Sequence, residues 1–499
     1  MPGRRIYVTT TLPYVNARPH LGFALELVQA DAFARHHRQL GDQVRLLTGT
    51  DDNSLKNVLA AEAAGIPTAE LVARNAARFA ALHDPLDLAF DDFIRTADDP
   101  RHRPGVERLW RAAAAAGDLY RRHYEGLYCV GCEQFYAPDE LVGGRCPEHG
   151  TAPDLVAEEN WFFRLSRYQR ELERLIVSGR LRILPEFHAR EVLAFVRSGL
   201  RDFSISRSRE RARGWGIPVP GDPDQVIYVW WDALGNYVNA LGYGTGDDRY
   251  RRWWLEASER VHVLGKGVLR FHAVYWPAMC LSAGVPPPTT LLVHQYLTAG
   301  GRKLSKSLGN GLDPGGVVTR FGADALRWWL LREVPAGSDA DFTVDRLVAL
   351  ADNDLAGGLG NLVQRTAAMV HRYRGGRVPD ASAPGPLADR LRRLTAEVGA
   401  AVDAFDFRAA LTAFRDAVDD ANRLVNAARP WELARAGEEA ELDSVLATLV
   451  AAGRELARQA EPFVPALAGR VRRQLGDGDP ELPPPAPVFP RLGGARSAP

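Results

Sequence analysis

The hydrophobic pattern opens on a β-branched run at residues 6–12, which predicts a strand. A loop with Pro13, Asn16 and Pro19 follows. Leu21, Leu25, Val28, Ala32 and His36 then recur at helical spacing across 21–40. Gly41 and Asp42 break that helix, residues 43–50 predict a second strand, and 54–64 predict a helix closed by Gly65. Strand, loop, helix, strand is a βαβ unit. It implies a parallel sheet with a ligand crevice at the carboxyl ends of its strands. Residues 120–195 interrupt the pattern with a cysteine cluster and short strands. Runs at 226–231, 261–264 and 291–297 predict strands again, so the interruption reads as an inserted module. Beyond about residue 350 the chain turns helical and Ala/Arg/Leu-rich, and 480–490 is proline-rich.

Composition narrows the class. With 499 residues, 46% hydrophobic positions and 11 tryptophans, the chain is a folded protein of several domains. It contains no run of about 18 apolar residues, so no membrane span is expected. The first residues enter a strand without a signal-peptide core, and three of the four cysteines cluster at 129–146. Both features lead to the expectation of a reducing, cytoplasmic setting. A formal net charge of zero excludes a general polyanion binder but not a local basic face. Lysine occurs only four times, at 56, 266, 303 and 306; the other 58 of 62 basic residues are arginine.

Three constellations carry candidate chemistry. Pro19-His20-Leu21-Gly22 lies at a strand-to-helix junction, where backbone N–H groups and the helix dipole favour a phosphate. Gly22 would let a flat ligand approach the backbone, although a plain loop histidine beside a helix start gives the same pattern. The glycine-flanked loop Lys303-Leu304-Ser305-Lys306-Ser307 sets two of the chain's four lysines three residues apart. That suits a polyphosphate whose charge grows in a transition state; a solvated basic loop is the alternative. Cys129 and Cys132, then 13 residues, then Cys146 and His149 have the spacing of a tetrahedral structural zinc site.

At these residues the sequence resembles the class I aminoacyl-tRNA synthetases. His20-Leu21-Gly22-Phe23 is similar to their "HIGH" signature and Lys303–Ser307 to their "KMSKS" loop. Tyr14-Val15-Asn16, Thr48-Gly49-Thr50-Asp51, Glu159-Asn160-Trp161, Trp215-Gly216-Ile217-Pro218, Asp232-Ala233, the segment from His272 to Pro277 and the segment from Leu359 to Arg365 point to the methionyl branch. The resemblance runs from about residue 5 to 475.

It implies an α/β fold: a Rossmann-type parallel-sheet catalytic domain with a zinc-bearing insertion, followed by an all-α anticodon-binding bundle. The expected boundaries are 1–118 and 196–318 for the two catalytic halves and 119–195 for the insertion. A stem-contact segment at 319–350, the helical domain at 351–476 and a Pro-rich tail at 477–499 complete the chain. The implied activity is ATP-dependent activation of methionine and its transfer to tRNA(Met), with Mg2+ accompanying ATP and one structural Zn2+. A monomer is expected, because the chain stops soon after the bundle.

The resemblance also implies roles. His20, Lys303 and Lys306 would be catalytic, and Pro19, Gly22, Gly265, Ser305 and Ser307 would join them around ATP. Leu12, Tyr14, Asp51, Trp230, Ala233, Leu234, Tyr237, Val268 and His272 would bind the amino acid, with Asp51 on its ammonium group. Asn361, Arg365 and Trp431 would read the anticodon, as stacking and hydrogen-bonding groups for splayed bases. Cys129, Cys132, Cys146 and His149 would hold the zinc.

The sequence departs from the family pattern on the nucleotide side. Phe23 replaces the last His of the signature, Asp51-Asp52-Asn53-Ser54 replaces Asp-Glu-His-Gly, and Gly267 replaces the Asp of Gly-Lys-Asp. Leu304 stands for Met, and Gly357 for a polar residue. Each lost polar contact costs about 1–3 kcal/mol if nothing replaces it. These changes keep two other readings open: a paralogue activating an amino acid for small-molecule, for example hydrazine-type, biosynthesis, and a weakly catalytic tRNA-binding protein.

Overall fold

The structure, a computed structural model, describes residues 3–131, 134–136, 138–147, 150–303, 312–381 and 385–493, with backbone alone for Gln134, Phe135, Arg302 and Lys303. The chain divides into two compact units: Met1–Pro19, Gly41–Ala81 and Phe90–His294 in the first, and His20–Leu40, Leu82–Ala89 and Gln295–Pro499 in the second.

The first unit is built on a six-stranded parallel sheet. Its order is Asp92–Arg95, Gln43–Thr50, Arg5–Thr10, Glu259–Gly265, Thr290–His294, Arg182–Leu184. Chain order runs outward from Arg5–Thr10 to Asp92–Arg95 on one side and from Glu259–Gly265 to Thr290–His294 on the other, where the earlier strand Arg182–Leu184 is added at the edge. The switch point, and hence the ligand crevice, therefore lies beyond the carboxyl ends of those two strands. Their register pairs Thr9 with His262 and Thr10 with Val263. Around the sheet packs an aromatic core in which Trp231 meets Trp110 and Phe163 edge-on at 5.8 and 5.4 Å.

The interrupting region forms a four-stranded antiparallel sheet of Gln134–Tyr136, Leu119–Cys129, Asp154–Phe163 and Phe203–Ser204. The same stretch also supplies the edge strand Arg182–Leu184 of the parallel sheet. One predicted element changes type. Residues 226–231 read as a strand, but the strand Asp222–Ile227 ends there and Val229–Leu234 is a helix. Aromatic and β-branched residues score as strand locally. Every residue of this helix except Trp230 is buried, so tertiary packing overrides that preference.

The second unit is helical: Leu21–Gln39, Pro314–Phe321, Ala323–Glu333, Val344–Leu350, Asn361–Arg374, Pro386–Asp403, Phe407–Ala428, Pro430–Ala436, Glu439–Ala460 and Pro465–Leu475. Amphipathic stripes such as Leu391, Leu394, Val398 and Val402 are buried in it. A fully buried ion pair joins Arg327 to Asp31 at 2.7 Å. Arg327 also donates to the carbonyls of Leu86, Pro462 and Phe463, and Asp31 accepts from Arg35 and the Ala89 amide, so the buried charges are well satisfied. The proline-rich segment is packed rather than loose. The Val378 amide donates to Pro480, the Leu482 amide to Gly376, and Asp352 accepts from the amides of Leu492 and Gly493. Val488 and Phe489 are buried.

Candidate active site

Three short segments of the first unit carry the residues expected to bind the amino acid. Leu12 and Tyr14 follow the strand Arg5–Thr10, and an isolated parallel bridge ties Tyr14 to Asp51. Trp230, Ala233, Leu234 and Tyr237 lie on the helical turns Val229–Leu234 and Asn236–Asn239. Their spacing of i, i+3, i+4 and i+7 gathers them on one face. Val268 and His272 follow the strand Glu259–Gly265 at i, i+4. The Trp230 ring stacks on Phe271 at 3.7 Å and meets Tyr14 edge-on at 6.4 Å, with the Lys56 ammonium 5.0 Å over the Tyr14 ring. Among the described residues, the buried Trp230 indole N–H has no hydrogen-bond partner.

The Tyr237–His272 pair is ordered by its tautomer. His272 Nδ1 lies 2.9 Å from the Val268 carbonyl, which can only accept, so Nδ1 carries the proton. Nε2 then accepts from the Tyr237 hydroxyl at 2.7 Å. Beneath them His262 is fully buried and held well below its ordinary pKa, chiefly by burial. It stacks on Tyr237 at 4.1 Å.

Asp51 is buried at the end of strand Gln43–Thr50. Its Oδ1 accepts from the Asn53 amide at 3.1 Å and from the Thr96 hydroxyl at 3.4 Å, and its carbonyl accepts from Asn57. Asn53, one of the departures, donates its side-chain amide to Asp232 at 2.7 Å. The other Asp232 oxygen holds His102 Nε2 at 2.5 Å. Asp52 bonds Thr50 and Arg95, yet burial dominates and pushes its carboxyl up to about 6. Of this group only Asp51 is expected at the site from the sequence; Asp232 and Asn53 stand in motifs of the sequence without a role of their own, and nothing local singles out His102, Thr96 or His262.

In the second unit His20 caps the helix Leu21–Gln39, with Nδ1 accepting from the Gly22 amide at 3.0 Å. The neutral ring therefore carries its proton on Nε2, a donor suited to a phosphate oxygen at a helix N-terminus. A Cβ at Gly22 would come within 2.8 Å of the His20 ring, so this glycine makes room for its own cap. Phe23 is buried at 7% exposure, as an apolar side chain here would be. The backbone of Lys303 ends a two-residue strand; Leu304, Ser305, Lys306 and Ser307 lie outside the described residues. At the sheet end, Gly265 pairs with His294, and a Cβ there would meet the His294 ring at 3.2 Å.

In the inserted sheet, Cys129 ends the strand Leu119–Cys129, and Cys146 follows the turn of Gly143 and Gly144, both with positive φ. Both thiols are buried in one small cluster with Tyr136. Two soft donors brought together beside a tight turn fit a zinc knuckle. Cys132 and His149 lie outside the described residues. In the helical unit, Asn361 and Arg365 sit one turn apart on Asn361–Arg374, and Arg365 donates to Asn426 at 3.2 Å. Trp431 is half-buried at the start of Pro430–Ala436. Among the described residues, no helix is long and apolar enough to cross a membrane.

Comparison with known proteins agrees with this architecture. The family model "tRNA synthetases class I (M)" matches residues 6–152 and 148–367. The methionine–tRNA ligase of Brucella suis biovar 1 (strain 1330) is 39% identical over 519 residues, covering 98% of both chains. That of Thermotoga maritima is 37% identical over 94% of this chain and 75% of its own. Among solved structures, Mycobacterium tuberculosis methionyl-tRNA synthetase in complex with methionyl-adenylate matches with a TM-score of 0.92 and 38% identity, over 98% of this chain and all of that one. Its free state matches with a TM-score of 0.86 and 36% identity, over 98% of each chain. By sequence and by structure, the chain belongs to the methionine-type class I tRNA synthetases.

Proposed function

We propose that the chain works as a methionine–tRNA ligase, activating methionine with ATP and passing the methionyl group to tRNA(Met). The reading rests on full-length similarity to ligases of that name, joined to an apolar crevice whose polar end is the Tyr237–His272 pair. Leu12, Tyr14, Trp230, Ala233, Leu234, Val268 and His272 enclose the side chain, and Tyr237 faces the polarizable thioether. Asp51 takes the α-ammonium group. The carboxylate attacks the α-phosphate of ATP, forming the mixed anhydride and expelling pyrophosphate. His20 Nε2–H, Lys303 and Lys306 stabilise the charge that grows on the phosphates, with Pro19, Gly22, Gly265, Ser305 and Ser307 shaping the nucleotide site. The terminal ribose hydroxyl of tRNA then attacks the acyl carbon and AMP leaves. No covalent enzyme intermediate is needed; positioning and charge stabilisation carry both steps.

Mg2+ bound with ATP would neutralise phosphate charge. Cys129, Cys132, Cys146 and His149 would hold a structural Zn2+ that closes the tip of the insertion. The stretches 1–118 and 196–318 serve catalysis, 119–195 the acceptor-side insertion, 319–350 the stem contact, and 351–476 anticodon reading through Asn361, Arg365 and Trp431, with 477–499 as a terminal segment. The protein works as a cytoplasmic monomer. The test is ATP–pyrophosphate exchange with a panel of amino acids. Exchange with methionine above all others is expected. Exchange with a different amino acid would replace this reading with biosynthetic activation.

A further inference from the structure

We propose that His262 is a positioning residue of the amino-acid pocket: held by Thr9 and Trp276, it fixes the Tyr237 ring and so sets the discrimination of a thioether from its all-carbon isostere. The inference deepens, and rests on, the reading of this crevice as the methionine pocket.

The geometry is specific to an imidazole. The Trp276 indole N–H can only donate, and it points at His262 Nε2 at 3.1 Å. Nε2 is therefore the acceptor nitrogen, and the ring's proton sits on Nδ1, which donates to the Thr9 hydroxyl at 2.6 Å. Two in-plane bonds on opposite edges remove the ring's freedom to rotate. The plane so fixed lies 4.1 Å from the Tyr237 ring at 28°, and 6.1 Å from Trp254 at 29° on another side. Tyr237 is pinned again through its backbone, whose carbonyl accepts from the Tyr7 hydroxyl at 3.0 Å. Its own hydroxyl is then committed to His272 Nε2. His262 is buried at 1% exposure on a central strand, and no step of activation or transfer uses it. Burial keeps it neutral, so the ring beneath Tyr237 adds no charge to an apolar site.

Sulfur and a methylene differ little in size, so telling them apart depends on where the phenol stands to within fractions of an ångström. A phenylalanine at 262 could stack on Tyr237 but not anchor to Thr9 or Trp276.

The test uses the full chain in ATP–pyrophosphate exchange with methionine and with norleucine. His262→Phe is expected to raise KM for methionine about tenfold and to lower the methionine-over-norleucine preference by about the same factor, the scale of single-group discrimination in an apolar pocket. The kcat and the KM for ATP should stay within about twofold. His262→Gln, whose amide can accept from Trp276 and donate to Thr9, should recover most of the loss. If His262→Phe does not fold, Thr9→Val decides: it keeps the β-branched shape and removes only the acceptor hydroxyl, and it should lower the same preference. An unchanged methionine/norleucine ratio in a folded variant, or parallel rises in KM for methionine and ATP, overturns the proposal. A parent protein lacking methionine-dependent exchange would instead refute the pocket reading itself.

Discussion

Replacing Asn53 with alanine should weaken methionine activation through the ammonium site. Its side-chain amide donates to Asp232 at 2.7 Å, while its backbone amide holds the Asp51 carboxylate at 3.1 Å. Asp232 is fully buried, and its remaining oxygen is taken up by His102. The substitution therefore removes the hydrogen bond to a buried carboxylate, worth about 1.5–3 kcal/mol net, together with a longer bond from the same amide to the Thr96 carbonyl at 3.4 Å. It leaves the backbone bond to Asp51 in place but untethers the residue that makes it. If the strain is felt at Asp51, KM for methionine rises about 10- to 100-fold, since ~1.4 kcal/mol is a factor of ten. The KM for ATP should move by less than about twofold, because no phosphate contact is assigned to this segment. Steady-state exchange at varied methionine and varied ATP separates the two. A lower melting temperature with unchanged KM for methionine would refute the reasoning and leave Asn53 as a packing residue.

Three further outcomes follow from the geometry. The Asp52 carboxyl sits at about 6 in the fold against 3.8 as its ordinary value, so the folded protein binds the proton more tightly. Its stabilising share is full below pH 3.8 and lost as pH rises through 6, so the stability of Asp52→Asn relative to the parent should grow by up to about 3 kcal/mol from pH 4 to 7, read from paired denaturant melts; a constant difference would contradict it. Arg327→Leu leaves the buried Asp31 carboxylate with Arg35 as its one charged partner and strips the carbonyls of Leu86, Pro462 and Phe463 of their donor, and should cost about 3–5 kcal/mol, seen as an early transition of the helical unit; a loss below about 1 kcal/mol would mean the pair is not holding it. Chelation should release one zinc per chain and lower the melting temperature, whereas a metal-free protein with unchanged melting would remove the zinc from the account.

Much of the architecture was legible because it is written in local periodicity. The first strand and the helix after it announce themselves through β-branched runs and 3.6-residue spacing, and appear as Arg5–Thr10 and Leu21–Gln39. The pocket was legible only through motif resemblance, although Trp230, Ala233, Leu234 and Tyr237 carried a helical signal of their own. That signal was masked by the strand-like composition of 226–231, and tertiary packing decided it. The partnerships were not legible at all. His102 reaches Asp232 across 130 positions, and Tyr7 reaches Tyr237 across 230. No local pattern encodes such pairings. Gly22 shows the converse: its place in the signature is plain, but its role in clearing the His20 ring emerges only from the folded geometry.

The departures from the family pattern are accommodated in the fold in different ways. Phe23 is accommodated by burial and Asn53 by Asp232, so two of the three changes have structural partners in this chain. Gly267, the third, is exposed.

The most direct test of the central claim is methionylation of tRNA by the purified chain with ATP and Mg2+. The account predicts acid-precipitable methionyl-tRNA(Met), with one AMP released per methionine transferred. Formation of AMP and pyrophosphate with no methionine on tRNA would contradict it.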